Sequence, residues 1–153
     1  MNVSLVPLKV SHAHVISKAM QNPNFIKGLL YDHPLTLSEA KKDIQRQLKA
    51  VQEKILVARS IKVGGRIVGR IGLRFRDKWT IWYWIAPEVQ RKGYLTEAIQ
   101  LFLPLCPDNI WAEVNDWNVA SHKALLRAGF KKQSITRNGK YVFERKINVS
   151  DIS

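Results

Sequence analysis

Cysteine is almost missing from this chain of 153 residues: Cys106 stands alone, so no internal disulfide and no cysteine-rich metal framework can form. The four histidines are scattered, which leaves no run of ligands at metal-centre spacing. Long apolar runs are absent too; those present are short, such as Leu101–Leu105, and none could span a membrane. The start, Met1-Asn2-Val3-Ser4-Leu5-Val6-Pro7, lacks the charged-then-apolar order of a secretory leader. These absences point to a cytoplasmic protein with no metal and no membrane partner. Acidic residues are scarce: 12 Asp+Glu face 25 Lys+Arg, a net charge of +13. Such an excess gathers polyanions and disfavours polycations. It fits an acidic partner (a phosphorylated cofactor, RNA, a ribosome surface), and it fits a simple solubility device equally well, because the basic residues run along the whole chain.

What is present reads as one domain over residues 1–153, long enough to bury a real core. Asn2–Leu8 forms a first strand, and Ser11–Gln21 a short helix broken by Asn22-Pro23-Asn24. Thr36-Leu37-Ser38-Glu39 is a capping box, followed by Leu37, Ala40, Ile44, Leu48 and Val51 at helical spacing. From Ile55 the period becomes two. Ile55–Lys62 and Arg66–Phe75 are strands joined across Gly64-Gly65. Ile67, Ile71, Leu73 and Phe75 are expected on one side of the second, with Arg66, Arg70, Arg74 and Arg76 on the other. After Asp77-Lys78 comes a tryptophan-rich strand, Trp79–Ile85. A helix with Leu95, Ala98, Ile99 and Phe102 on one face follows, then the strand Ile110–Val114. Asn118 caps a last helix, which Gly129 ends, and two strands flank Arg137-Asn138-Gly139-Lys140. The order β-α-α-β-β-β-α-β-α-β-β describes an α/β mixed sheet with helices on both faces.

The segment between the tryptophan strand and the next helix carries the chemistry. Ala86-Pro87-Glu88-Val89-Gln90-Arg91-Lys92-Gly93 runs straight into a helix start at Tyr94-Leu95-Thr96. First-turn N–H groups have no partner inside a helix, and the dipole is positive there, so the loop makes an anion cradle. Arg91 and Lys92 add full charges, and Gly93 lets a phosphate approach the backbone.

Two motifs resemble the GNAT superfamily of acyl-CoA N-acyltransferases, and within it the ribosomal-protein N-terminal acetyltransferase (Rim-like) branch. Gln90-Arg91-Lys92-Gly93-Tyr94-Leu95 follows the family pattern Q/R-x-x-G-x-G/A and leads into Thr96-Glu97-Ala98. Asn118-Val119-Ala120-Ser121, then Ala128-Gly129-Phe130, follows the branch's N-x-x-S helix with its terminal G-F. The strand order agrees as well, so the resemblance covers nearly the whole chain and implies a single GNAT-like domain. It departs at Leu95, where the family has Gly or Ala; agreement with the Ala98, Ile99, Phe102 stripe predicts that the side chain faces the core. It departs again at Leu125, where many relatives have a tyrosine acid.

The resemblance implies acetyl-CoA as cosubstrate, bound between the tryptophan strand and Ile110–Val114. The backbone of Trp84, Ile85 and Ala86 is expected to pair with the pantetheine arm. The motif from Gln90 onward is expected at the pyrophosphate, which the amides of Arg91, Lys92, Gly93, Tyr94, Leu95 and Thr96 would hold. Asn118 would cap its helix and also bond the pantetheine, and Ser121 would donate a hydrogen bond to the departing sulfur. Glu113 is the candidate base for the attacking amine, through a water, with a structural salt bridge as its alternative role. Transfer is expected to be direct, without an acyl-enzyme. The implied acceptor is a primary amine, first of all a protein or peptide N-terminus of the ribosomal-protein type. Two alternatives stay open: a toxin-like enzyme acetylating aminoacyl-tRNA, and a catalytically weak RNA-binding or sensory module motivated by the arginine row. A homodimer through the last strands is compatible with all three.

Overall fold

The β-branched runs beyond Ile55 become β2 (Leu56–Val63) and β3 (Arg66–Phe75), and β4 (Trp79–Ile85) follows. Gly64 and Gly65 both take positive φ, 56° and 81°, which a tight hairpin turn requires. The computed structural model describes residues 2–27, 29, 31, 33–135 and 138–146. It adds β1 (Val3–Pro7), β5 (Ile110–Asn115), β6 (Lys131–Ile135) and β7 (Lys140–Arg145), giving a sheet in the order β1-β2-β3-β4-β5-β7-β6. Every neighbouring pair is antiparallel except β4 with β5. A parallel pair needs a crossover, and α4 (Tyr94–Phe102) supplies it. The expected mixed sheet is what forms. Gly139, at φ 72°, lies just before β7, whereas Arg137 of the expected final turn lies outside the described residues.

Helices α1 (Ala13–Ala19) and α3 (Leu37–Gln52) cover one face, and α4 with α5 (Val119–Arg127) the other. Strand alternation divides the aromatic side chains between two cores. Ile81, Tyr83 and Ile85 pack with Ile99, Phe102, Leu125 and Phe143, whereas Trp82 and Trp84 pack with Ile16, Met20 and Ile44. Trp82 lies flat over its cross-strand partner Gly72, where a Cβ would overlap the indole. α1 stops at Ala19, ahead of Asn22-Pro23-Asn24, and beyond it the chain does not become plain loop. Asn22 caps a further short helix, α2 (Pro23–Ile26), by accepting the Asn24 N–H at 3.0 Å, and Pro23 sits in its first turn where no N–H is needed. The capping box of α3 forms as expected, Glu39 N–H to Thr36 Oγ1 at 3.1 Å and Thr36 N–H to Glu39 Oε1 at 3.0 Å. Leu37 is the exception to its apolar face and stands exposed.

The arginine row forms only in part: Arg70 and Arg74 share a face, and Arg66 leaves it. Lys62 pairs with Ile67 and Ile61 with Gly69, so Val68 is an extra residue in β3. A one-residue bulge flips every side chain beyond it to the other face. Val68 therefore joins Ile71 and Leu73 in the core beneath α4, and Arg66 falls on the opposite face from Arg70. Arg70 is only 2% exposed. Its Nη1 lies 3.6 Å from Asp43 Oδ2 and 3.3 Å from Gln47 Oε1, and its guanidinium sits 5.5 Å from the centre of the Trp84 ring. Tyr31 donates to the same Asp43 oxygen at 2.6 Å. This buried polar group ties α3 to the sheet.

Removing one partner of a buried pair strands the other charge, which costs about 3 kcal/mol when that charge has no other partner; Asp43, left behind by a change at Arg70, keeps the Tyr31 hydroxyl at 2.6 Å and Arg46 at 3.7 Å. Asp43→Ala is therefore expected to lower stability by about 3 kcal/mol and Arg70→Met by clearly less, as read from urea denaturation. A larger loss in Arg70→Met would contradict this account of the cluster.

Candidate active site

β3 holds β4 along its whole length, and β7 holds β5 likewise. Between them β4 and β5 share one register pair, Thr80 with Trp111. Beyond it the sheet is split. The Ala86 N–H donates to the Val68 carbonyl at 2.7 Å. In an antiparallel ladder hydrogen-bonded pairs alternate, so Trp84 with Arg70 and Trp82 with Gly72 are the bonded ones. The amides of Tyr83 and Ile85 consequently turn toward the split, while those of Trp84 and Ala86 are spent on β3. Of the three residues expected to pair with the pantetheine arm, only Ile85 presents its backbone there. Its carbonyl also accepts Gln90 Nε2 at 3.0 Å, so Gln90 latches the following loop to the strand.

That loop makes one 3-10 turn at Pro87–Val89 and then bends through two left-handed residues, Arg91 (φ 65°) and Gly93 (φ 80°). Gly93 is the N-cap of α4, and the first helical bond runs from Glu97 N–H to the Gly93 carbonyl. Among the described residues, the N–H groups of Arg91 through Thr96 make no well-formed bond to a carbonyl or side chain, and that of Lys92 only loosely closes the turn at Gln90-Arg91. Left-handed turns of this kind line up successive N–H groups into a concave anion site. Arg91 and Lys92 are exposed beside it, and Tyr94 and Leu95 pack against the core behind it. Leu95 thus points inward, as its place in the helical stripe predicts, and leaves the amides clear.

At the other side of the split stands α5. The Asn118 side chain accepts the Ser121 N–H at 3.2 Å, which caps the helix and fixes its first turn. Ser121 is 4% exposed, and its Oγ is hydrogen-bonded to the hydroxyl of Tyr83, reaching over from β4. His122 turns away: its Nε2–H donates to the Asn115 carbonyl at 2.9 Å, and its ring stands edge-on to Tyr141 and Phe143. A strand split beside an amide cradle, with a buried hydroxyl pair across from it, is a site shaped for an extended ligand with an anionic end.

The family model for the acetyltransferase (GNAT) domain matches residues 2–131. The chain belongs to the GNAT acetyltransferase family. Its fold is shared with RimL, a ribosomal L7/L12 alpha-N-protein acetyltransferase solved with coenzyme A, at TM-score 0.86 and 15% identity over 96% of this chain and 95% of that one. The microcin C7 self-immunity acetyltransferase MccE, solved with acetyl-CoA and AMP, superposes at TM-score 0.82 and 19% identity, over 95% of this chain and 92% of the other. The aminoglycoside acetyltransferase AAC(6')-Ib, solved with coenzyme A, gives TM-score 0.75 and 14% identity, covering 95% of each. No curated protein matches the sequence. The protein is thus an acetyl-CoA-dependent N-acetyltransferase, and acetyl-CoA is its cosubstrate.

In this GNAT domain Leu125 occupies the tyrosine position of many relatives and is wholly buried in the core. The phenol near Ser121 comes from Tyr83 instead, and sequence reasoning passed over it. Its signal was a single hydroxyl on the otherwise apolar face of Ile81 and Ile85, where a buried O–H must find a partner. Burial pushes the Tyr83 phenol up to about 12. Glu113 is exposed and makes no ion pair among the described residues. Because Thr80 pairs with Trp111, alternation sets Trp82 and Glu113 on the same face, one on each side of the split. Cys106 donates to the Phe102 carbonyl from inside the core, and burial raises its thiol to about 12, so it offers no nucleophile.

The left-handed backbone at Arg91 separates folding from binding. A non-glycine residue there carries about 1 kcal/mol of strain. Arg91→Gly is expected to raise the denaturation midpoint while weakening acetyl-CoA binding severalfold in calorimetry, through the lost charge. Tighter binding, or a less stable fold, would count against the cradle.

Proposed function

We propose that this GNAT enzyme acetylates the α-amine of a protein or peptide, of the ribosomal-protein type. The reading is carried by one contrast. The surface has a net charge of +13, which opposes a polycationic acceptor, while an exposed carboxylate, Glu113, flanks the split on the face that α1 and α3 leave open over β5. A neutral or acidic peptide carrying one terminal amine meets both conditions. Likeness in fold to the α-N-protein acetyltransferase RimL agrees with it; the comparable likeness to an aminoglycoside acetyltransferase is the competing reading.

Acetyl-CoA supplies the acetyl group as a thioester. The amides of Arg91 through Thr96 hold its diphosphate, and the backbone edge of Tyr83 and Ile85 lines up its arm. Glu113 takes the proton of the attacking amine through a water. Ser121 donates a hydrogen bond to the sulfur as the C–N bond forms and the C–S bond breaks. Thiolate is a good leaving group, so this help is modest, near the low end of about 10²–10⁴-fold.

The acceptor is tested by incubating the protein and acetyl-CoA with N-terminal peptides, aminoglycosides and aminoacyl-tRNA in parallel. Peptides should show the highest kcat/KM, with the acetyl group on the α-nitrogen by mass spectrometry; faster turnover of an aminoglycoside or a charged tRNA would overturn the assignment. In the same assay Glu113→Gln should cut kcat about 10-fold or more and leave KM for acetyl-CoA unchanged.

A further inference from the structure

We infer that Tyr83 is a positioning residue for the transfer step: its phenol donates to Ser121 Oγ and thereby turns the serine hydroxyl proton toward the departing sulfur. The inference rests on the role given to Ser121 above and adds the residue that makes that role directional.

A serine hydroxyl on the first turn of a helix rotates freely and can donate in several directions. Here one direction is closed. Ser121 is buried, its N–H is taken by Asn118, and its Oγ is in contact with the Tyr83 hydroxyl. The order of the two protons follows from acidity. A phenol, with an ordinary pKa of about 10, is a much better donor than an aliphatic hydroxyl. The neutral pair therefore settles with Tyr83 donating and Ser121 accepting, and the serine proton is free to point elsewhere. Burial then disfavours phenolate, so Tyr83 orients without ionising.

The position of Tyr83 explains why it can do this. It lies on β4 at the split, on the face of Ile81 and Ile85, so its ring crosses from the strand bearing the open backbone edge to the helix bearing the hydroxyl. Leu125, one turn further along α5, is wholly buried and supplies no polar atom. The phenol reaches Ser121 from the sheet. No proton leaves Tyr83 in the balance of the reaction. The amine loses one proton, the C–S bond yields a thiolate, and that sulfur is hydrogen-bonded by Ser121 until it is protonated from solvent.

The test uses Tyr83→Phe, Ser121→Ala and the double variant in the full chain. Its binding readout needs no known acceptor, and kcat is read with the peptide acceptor of the assay above. A serine proton aimed at sulfur favours the thiolate of bound coenzyme A, so affinity for coenzyme A should rise several-fold as the pH is raised through the ionisation of its thiol. Desulfo-coenzyme A, which lacks the sulfur, supplies the baseline for every other titrating group. In Tyr83→Phe and in Ser121→Ala the rise over that baseline should disappear, with desulfo-coenzyme A binding unchanged. The double variant should be no worse than Ser121→Ala, in this readout and in kcat. A full rise in Tyr83→Phe, with the rise lost in Ser121→Ala, overturns the role of Tyr83 alone. A full rise in Ser121→Ala overturns the role of Ser121, and with it this inference. Losses in kcat that multiply in the double variant show that Tyr83 acts independently and equally overturn it.

Discussion

One constraint organises the molecule: β4 and β5 are parallel neighbours that meet at Thr80 and Trp111 and nowhere further along. Each strand is satisfied on its outer side, β4 by β3 and β5 by β7. Their inner edges are left facing one another across a split in the middle of a seven-stranded sheet. An edge with unpaired N–H and C=O groups would ordinarily invite another chain. Here the crossover through α4 and the packing of α5 guard it, and an extended ligand can take the place of a strand. The split also decides which face each aromatic residue serves. Tyr83 turns toward the helices that carry the cradle and the serine, and Trp82 and Trp84 toward the helices where an acceptor would enter.

Charge and backbone act together at the cradle. The strained left-handed turn at Arg91 and the glycine at position 93 aim consecutive N–H groups at one place, and α4 adds its dipole behind them. Conformational strain of this kind collects where a ligand, rather than the fold, needs the geometry. The buried Arg70–Asp43 pair has a different purpose. It lies on the α3 side of the sheet against Trp84, consumes a carboxylate that a basic protein has few of, and ties α3 to the sheet.

Much of this was legible in the sequence, and the reasons are specific. The Gly64-Gly65 hairpin, the Thr36 capping box and the Asn118 cap are local rules obeyed by a few adjacent residues, so they could be read without knowing the fold. The cradle was equally local. Leu95 fell into the core because its helical period demanded it. What could not be read was set by register. One extra residue, Val68, moved Arg66 to the face opposite Arg70 and shortened the arginine row, and no local pattern marks a bulge of that kind. The same parity decided that Tyr83, and neither Trp84 nor Ala86, offers its backbone to the split. Tyr83 meeting Ser121 joins residues 38 apart in sequence, a contact that only the folded sheet creates.

The central claim is that the amides of residues 91–96 receive the diphosphate of the cosubstrate. Amide nitrogen–proton correlation spectra recorded while coenzyme A is added test it most directly. The account predicts that the amides of Arg91 through Thr96 shift most, and that inorganic pyrophosphate alone moves the same set in the same direction. Amides there that stay in place while another region of the chain shifts would contradict it.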